Sequence, residues 1–564
     1  MPRSSLALRF KRLLTRHPVL ANRVNGLIGA RRIETIARRT AIKAARRAYA
    51  RVPFYRAFFE RHGFDAARMR RLTWEDFAAL PPSGKRETEG APDRDLLDGT
   101  VPSPAGNSLL GRSSGTTSGP VTWPAGWDEF ELALANLWRM VREVQGHRVP
   151  TAVVSMLSVD GGDLAGNMPF RSTFTLKERT RWPFEVFAAG EEADTVLGIL
   201  RWLAEQGYES LLIISFPGTM ERLLDRAAEL RQADAAGAGV DWSRFKRIHV
   251  ILSGQLASVK LRRRARDEIG LDQRDVMSNT VVYAASDTGG IIAQTTPCTA
   301  WLERYLEQHP DLYAALGVAE EHRTKPIMEC ITPLAIYMEQ DEDGALLLTS
   351  WKHRPLIRYR SNDLAWLQPA RAIVRALDRY APTWRRDFKA AGYGRAFIPK
   401  AAPIGMILGR ADDTRIVNGA NVTPDMLRQA LEAAGILPRL HHFKHDTDDA
   451  RPNEYLVYLE LNDEASEAEC AALAKEWRAL LLDTLVHLPA ASDLYAAHRS
   501  NPVVMGLTVR ARGTGEFAGD DTVAKRRYVL GRGKSAAAPT AEQNGRIPAA
   551  AQMTAGARKD ASES

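Results

Sequence analysis

Three short apolar runs constrain the fold of this chain more than any other feature. They are Thr151–Leu157, Ser210–Ser215 (with Leu211, Leu212, Ile213 and Ile214 in succession) and Arg247–Leu252, each bounded by turn-forming residues. Runs this short and continuous suit strands buried on both faces. Helical patterns lie between and after them, at Thr195–Glu205 and Gly218–Gln232. Strands alternating with helices predict an α/β domain, a sheet covered by helices. Such sheets bind ligands at the carboxyl ends of their strands.

The 564 residues are 45% hydrophobic and 26% charged, enough for two or more globular domains. No run approaches the ~18 apolar residues of a membrane span. Cys298, Cys330 and Cys470 are far apart, with no CxxC and no Cys/His cluster. That argues against a zinc site or a disulfide framework and fits a reducing cytoplasm. The net charge of +9 is unevenly placed: residues 1–50 hold thirteen Lys/Arg against one acid, Glu34, leaving 64 against 67 elsewhere. A basic segment on a slightly acidic body gives little support for nucleic-acid binding.

Residues 1–48 read as a basic helical extension, with Leu6, Phe10, Leu13 and Leu14 at helical spacing and Arg9, Lys11 and Arg12 between them. Three readings stand: helices packed on the chain's own domain with a solvated basic face, a surface for membrane headgroups or an acidic partner, or a transit peptide. Tyr49–Lys85 reads as short helices around Pro53-Phe54-Tyr55, then a Pro-rich turn from Leu80 to Lys85. Residues 532–564, rich in Ala, Gly, Ser and Lys, read as a disordered tail.

Ser113-Ser114-Gly115-Thr116-Thr117-Ser118-Gly119-Pro120 carries the chemistry. Glycines let a backbone approach a ligand and aim several N–H groups at one point, and hydroxyls add donors without charge. That is a cradle for phosphate oxygens; the alternative is a Ser/Gly linker. It is not the NTPase P-loop, which needs GxxxxGK followed by Ser or Thr.

Arg112–Pro120 resembles the phosphate-binding loop of the adenylate-forming ligases, in the branch of phenylacetate–CoA ligase, which reads Ser-Ser-Gly-Thr-Thr-Gly-Lys-Pro. Here Ser118-Gly119 stands for Gly-Lys, so a lysine contact to the phosphates is absent. Further motifs follow in the family's order. Ser253-Gly254-Gln255 matches a turn that lines the acyl and adenine pocket. Tyr283-Ala284-Ala285-Ser286-Asp287 resembles the family's Tyr-Gly-x-Thr/Ser-Glu: the aromatic lies against adenine, the hydroxyl reaches phosphate and the acid holds magnesium. Aspartate for glutamate keeps hard oxygens for Mg²⁺; on its own, Tyr283 reads as a core tyrosine. Pro355-Leu356-Ile357-Arg358-Tyr359-Arg360-Ser361-Asn362-Asp363 resembles Pro-Leu-Ile-Arg-Tyr-Arg-Thr-Gly-Asp, whose aspartate takes the ribose hydroxyls. Arg358 and Arg360 alone read as solvated charges on a surface strand, but their aromatic and apolar neighbours argue against that. Gly409-Arg410-Ala411-Asp412-Asp413 matches a stretch whose arginine touches the ribose and precedes a hinge. Gly419-Ala420-Asn421-Val422-Thr423-Pro424 leads into a helix with Thr423 as N-cap and Pro424 at its first position. Lys525 is the match for the family's C-terminal lysine, which meets the acyl carboxylate and α-phosphate, although Ala524 replaces a glycine and Arg526 competes.

The resemblance spans residues 50–530 and implies a large adenylation domain, 49–409, and a small mobile α+β domain, 410–531. It implies ATP and Mg²⁺, with CoA as co-substrate. A small carboxylic acid and an acyl acceptor are the partners, and a homodimer is compatible with this plan. Ser113, Ser114, Gly115, Thr116 and Thr117 then cradle phosphates, Asp287 holds Mg²⁺, and Asp363 and Arg410 hold the ribose. Thr116, Arg410 and Lys525 serve the transfer step. Other acceptors stay open: an amine or hydrazine, for which Asp160–Phe170 could shape a pocket if it is not a plain loop, or AMP transfer to a phenol. So does a non-catalytic relative. Because the family-like body starts later, removing residues 1–45 is expected to leave activation intact.

Overall fold

The three apolar runs are neighbouring interior strands of one sheet. A computed structural model describes residues 30–88, 91–98, 108–112, 122–126, 151–157, 164–179, 184–233, 239–254, 257, 259–270, 279–285, 288, 290–319, 322–331, 333–394, 398–399, 402–410, 413–418, 420–448, 451–488, 491–518 and 528–529. Residues 1–29, the stretch Glu129–Val144, whose sequence pattern reads as an amphipathic helix, and the tail lie outside these.

In chain order the strands are β1 (Ser83–Gly84), β2 (Ser108–Arg112), β3 (Thr122–Gly126), β4 (Thr151–Ser155), β5 (Phe184–Ala188), β6 (Ser210–Ser215), β7 (Arg247–Ser253), β8 (Asn279–Ala285), β9 (Gly290–Gln294), β10 (Met328–Cys330), β11 (Ile336–Gln340), β12 (Ala345–Ser350), β13 (Leu356–Pro369) and β14 (Pro403–Arg410). After these come β15 (Arg415–Val417), β16 (Ala420–Val422), β17 (Leu440–Asp448), β18 (Arg451–Leu461) and β19 (Val504–Arg510). The main helices are α1 (Ala30–Arg51), α2 (Pro53–Arg61), α3 (Leu164–Arg179), α4 (Ala193–Glu205), α5 (Pro217–Gln232), α6 (Val259–Ile269), α7 (Pro297–Gln308), α8 (Ala370–Tyr380), α9 (Pro424–Ala433), α10 (Glu467–Val486) and α11 (Ser492–Ser500).

One large sheet runs β11-β12-β13-β14-β10-β9-β8-β7-β6-β4-β5, with β1 beside β13. From β5 to β8 the strands are parallel, as strand–helix–strand connections require. From β8 to β11 they are antiparallel. Alternate residues of β4, β6 and β7 enter two cores. Val154, Leu211, Ile213, Val250 and Leu252 pack with α4, α5 and α6. Val153, Leu212, Ile214 and Ile251 pack on the other face with Leu176 of α3. The stretch Asp160–Phe170, weighed as a loop, is helical from Leu164 onward. A third core joins Trp301, Trp384 and Phe388 to Trp366, Ile404 and Met406.

The N-terminal helices form a fourth core. Ala41, Ala44, Ala45 and Ala48 of α1 and Phe54, Tyr55, Phe58 and Phe59 of α2 surround Ile357 of β13. Ile33 and Ala37 of α1 are also buried. Of the three readings of the N-terminal segment, the described part matches helices packed on the chain's own domain. Ile33, Ala37, Ala41, Ala44 and Ala45 are 6% exposed or less, so removing residues 1–45 would strip buried apolar side chains from this core.

Past β14 a separate core begins at Val417. Val422, Leu427, Leu431, Tyr455, Val457, Trp477 and Leu507 build a small α+β unit of β17-β18-β19 under α9, α10 and α11. Its first helix starts as its sequence requires: Thr423 Oγ1 accepts from the Met426 N–H, and Pro424 takes the first turn. All three cysteines are free and buried. Among the described residues no helix is long and apolar enough to cross a membrane.

Candidate functional site

The site grows from the edge where β13 meets β14. Asp363 and Arg410 are directly paired across these strands. The strands approach closely because β14 has Gly405: a Cβ there would lie 2.5 Å from Leu367 Cδ2 and 2.6 Å from the Trp366 carbonyl oxygen. Asn362 has φ 66°. The left-handed turn expected of the family's glycine is thus made by asparagine, a residue that tolerates it.

Asp363 is 9% exposed. Tyr283 Oη donates to its Oδ2 at 2.5 Å, and Arg410 Nη1 lies 3.9 Å from its Oδ1. Arg410 Nε stands 3.8 Å from Asp413. Tyr283 lies on β8, three strands from β14 in the sheet order, yet its hydroxyl reaches Asp363. Three positions up to 127 residues apart in sequence thus form one group: an aromatic ring, a carboxylate and a guanidinium. A carboxylate has four acceptor directions, so Asp363 can hold the phenol and still accept from a vicinal diol.

Two strand ends flank this group. Ser253 ends β7, and Gly254 follows with φ 78°, a left-handed conformation that glycine takes without strain. Beyond β8, Thr288 Oγ1 donates to the Ala285 and Gly290 carbonyls at 2.8 and 3.0 Å, closing the turn into β9. Of the expected site residues, the structure brings together Tyr283, Asp363 and Arg410, with Ser253 and Gly254 at the end of β7. Ser113, Ser114, Gly115, Thr116, Thr117, Gln255, Ser286, Asp287 and Lys525 lie outside the described residues. Among the described residues no cluster of three or more His, Cys, Asp or Glu could hold a metal ion. The Mg²⁺ assignment therefore rests on the resemblance at Asp287.

The structure adds residues that sequence reading passed over. Tyr55 Oη donates to the Pro355 carbonyl and accepts from the Ile357 N–H, both at 3.1 Å. Ser83 Oγ donates to the Ile357 carbonyl at 3.0 Å, and β1 runs parallel to Tyr359-Arg360. Arg358 is not a solvated charge: its Nε donates to Glu339 Oε1 at 2.9 Å, and its Nη1 donates to the carbonyls of Ala78 and Leu80. The N-terminal helices thus clamp the strand that carries Asp363. A tyrosine inside Pro-Phe-Tyr and a serine after Pro-Pro were the available signals. In the small domain, His445 Nε2 meets the Asp413 carbonyl at 3.0 Å and Nδ1 meets Tyr455 Oη at 2.8 Å. Burial, helped by Arg415, pushes this imidazole down to about 3, so it is neutral. The small domain thereby grips the link that leaves Arg410.

No family model matches the sequence, and no curated protein matches it. Solved structures match over nearly the whole chain. The AtGH3.15 acyl acid amido synthetase, in complex with 2,4-DB, aligns at TM-score 0.50 and 13% identity, over 91% of this chain and 92% of that one. An open 2-hydroxyisobutyryl-CoA ligase in complex with 2-HIB-AMP and CoA gives 0.49 at 16% identity, over 88% and 91%. The same ligase in its thioesterification state gives 0.47 at 16%, over 89% and 90%. At these identities the likeness is one of architecture: the chain shares the fold of that acyl acid amido synthetase.

Proposed function

We propose that this protein activates a small carboxylic acid with ATP, through an acyl-adenylate, and passes the acyl group to CoA. The observation that carries this reading is the Tyr283–Asp363–Arg410 group, where the end of β14 meets the middle of β13, in a fold shared with an acyl acid amido synthetase. A carboxylate is a poor electrophile because its leaving group would be oxide. Its oxygen attacks the α-phosphorus of ATP, the bond to the bridging oxygen breaks, and pyrophosphate leaves. The mixed anhydride then has AMP as leaving group, and a thiolate attacks the acyl carbon.

Asp363 accepts the ribose hydroxyls, Tyr283 packs its ring beside the base, and Arg410 supplies charge next to the ribose. Such fixed groups work by positioning and by electrostatics prepared in advance. The resemblance adds Ser113, Ser114, Thr116 and Thr117 on the phosphates, Asp287 as the residue that would hold Mg²⁺, and Lys525 on the transferring oxygens. Bound Mg²⁺ would neutralise phosphate charge.

The likeness to an amido synthetase favours a second acceptor, an amine in place of the thiol. ATP–pyrophosphate exchange across a panel of aryl, aliphatic and fatty acids tests the activation step. Exchange dependent on one acid class supports the reading; none with any acid sinks it. Product mass spectrometry with CoA and with amines separates the two acceptors.

A further inference from the structure

Helix α1 carries a cationic row with no acid to answer it. Its inner face is apolar and fixed: Ala37, Ala41, Ala44, Ala45 and Ala48 are buried against the body of the protein. Its outer face holds Arg32, Ile36, Arg39, Lys43 and Arg46, all exposed and recurring at spacings of three and four residues. That spacing puts the five side chains on one face, in a row ~21 Å long.

Several exposed arginines elsewhere on the protein are held by carboxylates. Arg226 pairs with Asp194 and Glu229, Arg385 with Asp378, and Arg244 with Asp241. The row on α1 lacks such partners. Glu34 is the only acid of the helix, and Arg38 and Arg371 take it. Among the described residues, Arg32, Arg39 and Lys43 meet no carboxylate. The field also extends sideways. Arg46 Nη2 donates to the Leu72 carbonyl at 2.9 Å, which brings the exposed Arg70 and Arg71 beside the row. Of the acids on the neighbouring short helices, Glu60 accepts the Tyr49 hydroxyl, Asp65 caps its own helix and Asp76 pairs with Arg68, which leaves Glu75.

Like charges fixed on one rigid face repel, and an anionic surface relieves that repulsion. Two features favour lipid over nucleic acid. Ile36, 39% exposed, sits within the row, where an apolar side chain suits the headgroup boundary and gains nothing from a phosphate backbone. The sequence before α1 repeats the mixture, with Leu6, Phe10, Leu13 and Leu14 among Arg9, Lys11 and Arg12. Aromatic platforms for bases are nearly absent, Phe10 being the only Phe, Tyr or Trp in residues 1–48.

We propose that the outer face of α1 docks the protein on an anionic lipid surface, with Arg32, Arg39, Lys43 and Arg46 on the headgroups and Ile36 at their boundary with the acyl chains. Because the inner face is packed on the body, docking presents the body to the lipid in one orientation. This inference does not depend on the function proposed above.

The test uses the full chain and vesicles of phosphatidylcholine, alone or with about one-third phosphatidylserine. Sedimentation should bring the protein down with the anionic vesicles and leave it in the supernatant with the neutral ones, and high salt should release it. Each Lys or Arg near such a surface strengthens binding roughly fivefold, so Arg32→Ala, Arg39→Ala and Lys43→Ala together should weaken it about 100-fold. A second triple variant, Arg226→Ala, Arg244→Ala and Arg385→Ala, removes the same charge elsewhere and should bind within a few-fold of the wild type. Circular dichroism checks that each is folded; if the first triple is not, Arg39→Ala with Lys43→Ala serves, with an expected loss of about 25-fold. Equal binding to both vesicles, no binding to the anionic ones, an α1 variant that binds like the wild type, or equal losses in the two triples overturns the proposal. So does tighter binding of a single-stranded RNA oligonucleotide than of the anionic vesicles at the same salt, which would make the partner a nucleic acid.

Discussion

Replacing Asp363 with alanine gives the sharpest check on the site. This carboxylate is 9% exposed, takes the Tyr283 hydroxyl at 2.5 Å and lies 3.9 Å from Arg410. Alanine leaves the phenol without its acceptor, which costs about 1–3 kcal/mol of stability. Binding loses two charge-assisted hydrogen bonds to the ribose, worth roughly 1.5–3 kcal/mol each. Part of that is offset, because the wild-type carboxylate must share itself with Tyr283 and give up water. A net loss of about 2–4 kcal/mol remains, which weakens ATP binding roughly 30- to 700-fold. Isothermal titration with ATP and with 2′,3′-dideoxy-ATP reads this directly. The wild type should lose affinity for the dideoxy nucleotide by a similar factor, and Asp363→Ala should barely tell the two apart. Asp363→Asn keeps an acceptor for Tyr283 and should fall between. A folded Asp363→Ala protein that still prefers ATP over the dideoxy compound by the wild-type factor refutes the ribose assignment.

Lys525→Ala should depress acyl-adenylate formation by ~10²–10³-fold, the usual loss for one electrostatic donor, while transfer from supplied adenylate stays near wild type; equal losses in both steps point to damage elsewhere. His445 is neutral in the fold down to about pH 3, whereas the unfolded chain protonates it near 6.5. Its contribution is therefore full above about pH 6.5 and is lost as the pH falls toward 3, amounting to about 2 kcal/mol at pH 5. His249, pushed down to about 3 by burial, acts the same way. Thermal unfolding from pH 7 to 5 should show this slope, and His445→Gln should reduce it; an unchanged slope removes His445 from the account. Deleting residues 1–45 strips Ile33, Ala37, Ala41, Ala44 and Ala45 from buried positions, and Ile33 alone carries about 1.5–3 kcal/mol. The truncated protein should melt well below the full chain, and an equal melting temperature would show that α1 is no part of the stable body.

Sequence legibility followed the range of each interaction. β6 begins and ends where its apolar run does, and α9 starts at its Thr-Pro signal, because local chemistry decides both. The motif around Asp363 was legible as chemistry, but its strand runs fourteen residues, straight through Asn362 at φ 66°. Asn362 falls in the register shift between Arg360 and Leu364 against β12, and pairing on either side of it keeps the strand continuous, which no local pattern reveals. The same limit hid Tyr55 at Ile357 and Lys325 at Asp425, contacts across 302 and 100 residues. The partners of Arg358 were hidden too, because neither Glu339 nor the Ala78 and Leu80 carbonyls are its neighbours in sequence.

Strand β13 has a consequence for how the protein breathes. Ile357 belongs to the core of the N-terminal helices, Leu356, Tyr359 and Ala365 to the main core, and Trp366 to the core around Trp301 and Trp384. Asp363 sits midway along a rod anchored in all three. The amides of β13 should then exchange with deuterated water only by openings close to global unfolding, slower than the edge strands β5 and β11. A nucleotide bound at Asp363 would lend its binding energy to every opening that disturbs the rod. Its footprint in hydrogen exchange should accordingly extend from the N-terminal helices to Trp384, far beyond the atoms it touches.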